Sequence, residues 1–270
     1  MRNRSIQGLR GLGAITVFIW HTHWYIDSRL GFDLTHIFRG DFANPMFFML
    51  AGFFVGINYS ADKIVITKFV INKLKRIYPL YFFTVIMTLG YLVYDGSEIK
   101  FSSLIPHFFL IQSWIPGYLY ENALNGPAWF LSMMVFLWIM TKLIIKIVEK
   151  ITYTRNGLFF LITGLFIIFS LGTYTIDRYN LISILPEIVR PYNYVPYILG
   201  IILGKRIEKF SAIVKESVVI DGTIILSFCV LLILRQKLNR VYSFTLLLLF
   251  LLYLIAYLYV RGGRIEWDFS

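Results

Sequence analysis

Apolar runs of near-membrane length recur along the chain, at residues 8 to 26, 44 to 60, 77 to 94, 128 to 149, 157 to 176, 191 to 204, 218 to 235 and 241 to 260. A hydrocarbon core about 30 Å thick needs about 20 residues of helix to cross it. Inside that core each backbone N–H and C=O must find its partner within the protein, which leaves helices or closed barrels. The runs are continuous and do not alternate, so the expected fold class is all-α: a polytopic transmembrane helix bundle of about 8 to 10 helices. The range comes from "SLIPHFFLIQSWIPG" (103 to 117), which is short and bounded by prolines. It suits an interfacial or re-entrant element, or half of a missed pair between 103 and 127. With 58% hydrophobic residues, a mean hydropathy of +0.69 and only 15% charged residues, the chain is far more apolar than soluble domains, where about a quarter of residues are charged. No linker, low-complexity tract or internal repeat is legible, so residues 1–270 are expected to form a single integral membrane domain. The opening "MRNR" and the apolar run behind it resemble a secretory signal, but the run continues through "IWHTHWY" without a small-residue cleavage site. It reads as a retained first span.

The net charge of +11 falls between the apolar runs. It forms no basic face interleaved with base-stacking aromatics, which argues against nucleic acid as a partner. Placing the N-terminus in the cytoplasm puts 18 of the 26 Lys and Arg residues inside and leaves 8 outside, the skew expected of cytoplasmic loops. Eight spans with both ends cytoplasmic follow. The single cysteine, Cys229, lies in an apolar run, so no internal disulfide can form and a small buried hydrophobe is expected there.

Three constellations could carry chemistry. In "GLRGLGAITVFIWH" the step from Arg10 to His21 is 11 residues, three helical turns plus about 20°, which places both on one face roughly 16 Å apart. An ionisable group inside a membrane helix is costly and by default a functional candidate. Taken singly, Arg10 also suits a snorkelling anchor, and His21 suits an outer aromatic belt with Trp20, Trp24 and Tyr25. In "FVINKLKRIYPLY", Lys73 and Arg76 are one helical turn apart. A cation pair of this kind fits phosphate groups, arginine by a bidentate fork and lysine as a point charge, and any cytoplasmic loop is also basic. In "NGPAWFLSMMVF", Asn125, Gly126 and Pro127 predict a turn with Trp129 opening a helix. No metal-ligand cluster is legible.

These residues, with "MFFMLAGFF" in the second run, "KLKRIYPLY" at the third and "LIQSWIPGYLYENALNGPAWFLS" before the fourth, resemble the acyltransferase-3 family of bacterial integral membrane acyltransferases. The motifs fall in family order over about residues 5 to 140. The resemblance implies an O-acyltransferase transferring groups other than aminoacyl groups. Its usual work is to move acetyl from cytoplasmic acetyl-CoA to a hydroxyl of a surface glycan or a lipid-linked precursor, in the bacterial inner membrane. Acetyl-CoA would be a donor co-substrate, with no tightly bound cofactor. His21 would be the catalytic residue and Arg10, Lys73 and Arg76 would lie near the donor. His21 as general base needs a neutral imidazole within about 3 Å of the acceptor oxygen, with Asp27, Asp33 or Asp41 as candidates to orient its ring. Asn125 and Trp129 are the candidates for substrate contact.

The chain also departs from the family pattern. Lys73-x-x-Arg76 stands where many members have two arginines, Ala51 where many have serine, and Met134 where glycan-modifying members often carry glutamate. A last helix opening with a Gly and Ser motif and carrying another histidine is not legible after Val260, which gives the expectation of a chain shortened at its C-terminus. Two other functions remain open at this point. One is a transporter or flippase of a lipid-linked sugar, for which inverted repeats and broken helices would be the signal. The other is a catalytically inactive membrane homologue.

Overall fold

The structure is a computed structural model that describes residues 3–30, 40–97, 99, 101–117, 124–152, 154–211, 223, 224, 226, 227, 230, 231 and 240–261. Among these residues the chain is all-α, without a strand. Its α-helices are α1 (Arg4–Leu30), α2 (Gly40–Asn58), α3 (Ile66–Tyr94), α4 (Phe101–Phe108), α5 (Trp129–Ile151), α6 (Arg155–Arg178), α7 (Pro191–Ser211) and α8 (Arg240–Arg261). Short 3-10 turns stand at Gln112–Trp114, Gly126–Ala128, Leu181–Ser183 and Glu187–Val189. Among the described residues, four stretches are long and apolar enough to cross a membrane: Ile66–Tyr94, Gly126–Ile151, Asn156–Arg178 and Val241–Val260. The expected run at 218 to 235 lies largely outside the described residues. The piece at 103 to 117 becomes α4, whose eight residues rise only about 12 Å, followed by a turn. It does not cross.

Helix ends follow local chemistry. Thr154 caps α6, its side chain accepting a hydrogen bond from the backbone N–H of Gly157 at 3.0 Å. Pro191 opens α7, where its fixed φ and missing N–H are tolerated. At the end of α3, Gly96 adopts φ +74°. There its N–H donates to the carbonyl of Val93 and that of Ser97 to Leu92, closing the last turn on carbonyls the helix itself leaves open.

The described chain divides into two compact units. The first comprises Met1–Asn58, Leu165–Ser170 and Val195–Ser270, and its center is a crossing of α2 with α7. Gly52 and Gly56 on α2 meet Gly200 and Gly204 on α7. A Cβ at any of the four would lie within 3.0 Å of a backbone carbonyl oxygen of the other helix, that of Tyr197, Ile201, Met49 or Phe53. In lipid no hydrophobic drive brings helices together, so close backbone approach through small residues is a principal means of packing. Phe48, Phe53, Tyr197 and Tyr257 fill the surrounding core and are fully buried.

The second unit comprises Tyr59–Gly164 and Leu171–Tyr194. Here α5 packs along α3 and against the turns at 112–114 and 187–189. The turn after α4 is tied to the start of α5 by hydrogen bonds. Trp114 Nε1 donates to the carbonyl of Ser132 at 3.1 Å, Ser113 Oγ to that of Trp129 at 2.9 Å, and the Ser113 N–H to Ser132 Oγ at 3.1 Å.

Candidate active site

In the first unit α1 runs unbroken from Arg4–Leu30, so the 11-residue step from Arg10 to His21 holds its register, with a rise of about 16 Å along one face. Among the described side chains of α1, Ile6, Leu9 and Gly13 are buried, as is Asn3 just before the helix, and a Cβ at Gly13 would collide with the Met46 side chain on α2. Arg10 stands beside them, half-buried, its guanidinium carbon 4.7 Å from the centroid of the Phe54 ring on α2. A cation held on an aromatic face gains about 0.5–2 kcal/mol. This contact turns the arginine toward the α2 side of the helix. His21 is exposed. Its neighbour His23 is engaged by its own helix, stacked on Trp20 at 5.4 Å with Nδ1 2.7 Å from the Trp20 carbonyl. That carbonyl can only accept, so Nδ1 of His23 carries the proton. Asp33, and the side chains of Trp24, Tyr25, Asp27 and Asp41, lie outside the described residues.

In the second unit Lys73 and Arg76 occupy adjacent turns of α3. Lys73 is half-buried with Nζ 5.5 Å from the Phe69 ring, and Arg76 is exposed. Asn125 precedes the turn at Gly126–Ala128 and Trp129 opens α5, as the Asn-Gly-Pro signal predicts. Asn125 Nδ2 donates to Thr84 Oγ1 on α3 at 3.2 Å. Thr84 lies 11 residues beyond Lys73, so α3 repeats the spacing of α1: a cation and a polar anchor about 16 Å apart along the helix. Trp129 is half-buried, and its carbonyl is taken by Ser113. Of the six candidates, Arg10 and His21 thus belong to the first unit and the other four to the second.

Residues 3–269 match the family model described as an acyltransferase domain, acyltransferase-3. The chain belongs to the acyltransferase-3 family. The acyltransferase MdmB of Streptomyces mycarofaciens is 31% identical to it over 166 residues, which is 57% of this chain and 42% of the relative. The chain therefore spans about two-fifths of that protein's length. No solved structure matches.

The family match takes in all six candidates, and the structure adds polar residues that sequence reasoning passed over. His107 is fully buried on α4, its Nε2 accepting from the N–H of Leu124 at 3.3 Å, while Tyr81 donates to its carbonyl at 2.7 Å. A histidine in an apolar run carries no local sign of such a role. Gln112, also fully buried, donates from Nε2 to the Ala128 carbonyl at 3.2 Å, which braces the turn that carries Asn125. Glu187, Arg190 and Asn193 form a buried network at the start of α7. Arg190 pairs with Glu187 and donates to the carbonyls of Ile182 and Leu185, and Asn193 Nδ2 donates to Glu187 Oε2 at 2.8 Å. Burial pushes the Glu187 carboxyl above the usual carboxylate range, opposed by the Arg190 guanidinium and the Asn193 amide. The i, i+3 spacing of Glu187 and Arg190 was the available signal, although such spacings are usually solvated surface pairs. Among the described residues no group of three His, Cys, Asp or Glu side chains gathers to hold a metal.

Proposed function

We propose that this chain is an O-acyltransferase of the bacterial inner membrane. It moves an acyl group, acetyl in the first instance, from cytoplasmic acyl-CoA to a hydroxyl of a surface glycan or a lipid-linked precursor. One observation carries the reading: in a chain that matches the acyltransferase-3 family from residue 3 to 269, Arg10 and His21 share a face of one unbroken helix. Their separation of about 16 Å is of the order of an extended pantetheine arm, so phosphates held near Arg10 present the thioester near His21. By the family resemblance, Lys73 and Arg76 are the further candidates for donor contact, and Asn125 and Trp129 are those for substrate contact. The cytoplasmic N-terminus rests on the skew of basic residues.

In the proposed step the neutral His21 imidazole takes the proton of the acceptor hydroxyl. The oxygen attacks the thioester carbonyl, a C–O bond forms and the C–S bond breaks. The departing thiolate recovers the proton from the imidazolium, giving the O-acyl product and free CoA. No Ser-His-Asp order is legible in the sequence, which favors direct transfer over an acyl-enzyme. Transfer of label from radiolabelled acetyl-CoA to the envelope glycans of membranes carrying the protein, absent from membranes without it, tests the reading. A transporter or an inactive homologue would leave the label on the donor.

The basic pair makes its own prediction. Arg76→Ala raises the acetyl-CoA concentration for half-maximal rate more than Arg76→Lys does, because only the guanidinium offers two parallel hydrogen bonds to a phosphate. Each charge-assisted bond contributes about 1.5–3 kcal/mol, so the expected shift for alanine is at least roughly tenfold for each bond lost. Equal KM values in wild type and both variants would reduce the pair to a topology signal.

A further inference from the structure

The first residue of the family match is Asn3, and its side chain bonds to both α1 and α8. Asn3 is 3% exposed. Its Oδ1 accepts from the backbone N–H of Ile6 at 3.1 Å, the geometry of an N-cap on the third residue of α1. Its Nδ2 faces α8, 3.3 Å from the carbonyl of Tyr259 and 3.5 Å from that of Leu258. Both carbonyls lie in the last described turn of α8. The amide cannot be reversed without setting oxygen against carbonyl and nitrogen against N–H. One side chain therefore caps the N-terminus of α1 and ties it to the last described turn of α8.

Eighteen residues separate Asn3 from His21, five whole helical turns, and Arg10 departs from their line by only about 20°. The face of α1 that carries the candidate chemistry is thus the face that Asn3 docks. A chain of rings leads the same way: Tyr259 meets Phe53 edge-on at 5.2 Å, Phe53 meets Phe54 at 5.5 Å, and Arg10 lies over Phe54. We infer that Asn3 is a positioning residue, fixing the axial register of α1 against α8 so that Arg10 and His21 stand at set depths. α8 then contributes to turnover without offering any chemistry of its own. This inference rests on the acyl-transfer reading given above.

Asn3→Asp separates the two halves of the role. It keeps an oxygen for Ile6, aspartate being as good an N-cap as asparagine, and removes both N–H donors toward α8. With radiolabelled acetyl-CoA and membranes carrying the protein, the expected result, normalised to folded protein, is a kcat lower by roughly tenfold or more, since displacements near 1 Å cost up to about 10²-fold. The acetyl-CoA KM should rise as well, because Arg10 shifts with α1, but by less than kcat falls, because Lys73 and Arg76 are unaltered. Wild-type kcat per folded molecule, even with less folded protein, would overturn the inference and leave Asn3 an ordinary cap. Should Asn3→Asp not fold, Asn3→Ser is measured in the same way. Serine also caps but is too short to reach both carbonyls, so a reduced kcat supports the inference and a wild-type kcat overturns it. If the wild-type protein itself transfers no label, the acyl-transfer reading fails first and takes this kinetic role with it.

Discussion

His21→Ala abolishes acyl transfer while membrane insertion and expression stay near wild type. Losing a polar group from α1 eases insertion, whereas losing a general base costs 10²-fold or more in rate. The check is label transfer at saturating acetyl-CoA, alongside the amount of protein recovered from membranes. Residual activity above about a tenth of wild type, well outside the range for a general base, would remove His21 from the role. Arg10→Ala provides the contrast, since an arginine acting on the donor phosphates changes affinity more than turnover. Excess acetyl-CoA partly restores the Arg10→Ala rate and leaves His21→Ala unchanged. If both variants respond alike to donor concentration, the two residues do not divide the work along α1 in this way.

Gly200→Ala destabilises the protein, and the same substitution at Gly164 does not. At Gly200 the new methyl would lie within 3.0 Å of the Met49 carbonyl and of the Phe53 backbone nitrogen, neither of which can move without parting α2 from α7. Overpacking of well-packed cores costs about 1–3 kcal/mol even where side chains can adjust; here backbone must yield, and a fall in melting temperature of roughly 5 °C or more is expected. At Gly164, inside α6, nothing lies within 4 Å of the added Cβ. Alanine is also the better helix former by about 0.5–1 kcal/mol, so the melting temperature should hold or rise slightly. Thermal unfolding of the two purified variants in one detergent decides the matter. Equal melting temperatures would mean that the α2–α7 crossing is looser than its geometry.

Both variants probe features of different legibility. The helix of Arg10 and His21 could be read directly, because a membrane span is long, regular and built on a fixed rise, so spacing along the chain becomes spacing along an axis. The turn at Asn125 to Trp129 could be read as well, since Asn-Gly-Pro restricts its own backbone. "MFFMLAGFF" was visible as a family motif, yet its glycine gave no hint of the partner it meets on α7. Asn3, by contrast, lies in the opening "MRNR", where nothing points to Tyr259.

What the amino-acid sequence determined by itself is the set of quantities that add up locally: the transfer energy of each apolar run, the helical phase of residues a few turns apart, the turn chemistry of a few consecutive residues, and the ordered motifs of the family. What only the tertiary structure decided is pairing: Gly52 and Gly56 with Gly200 and Gly204, Asn3 with the Leu258 and Tyr259 carbonyls of α8, and a glutamate, an arginine and an asparagine closed into one buried network. Hydropathy is a sum over one segment and is nearly indifferent to which helix lies beside which. Helix pairing depends on backbone approach and on polar groups meeting across segments that, for Asn3 and Tyr259, stand 256 residues apart, and those contacts exist only once the chain has folded.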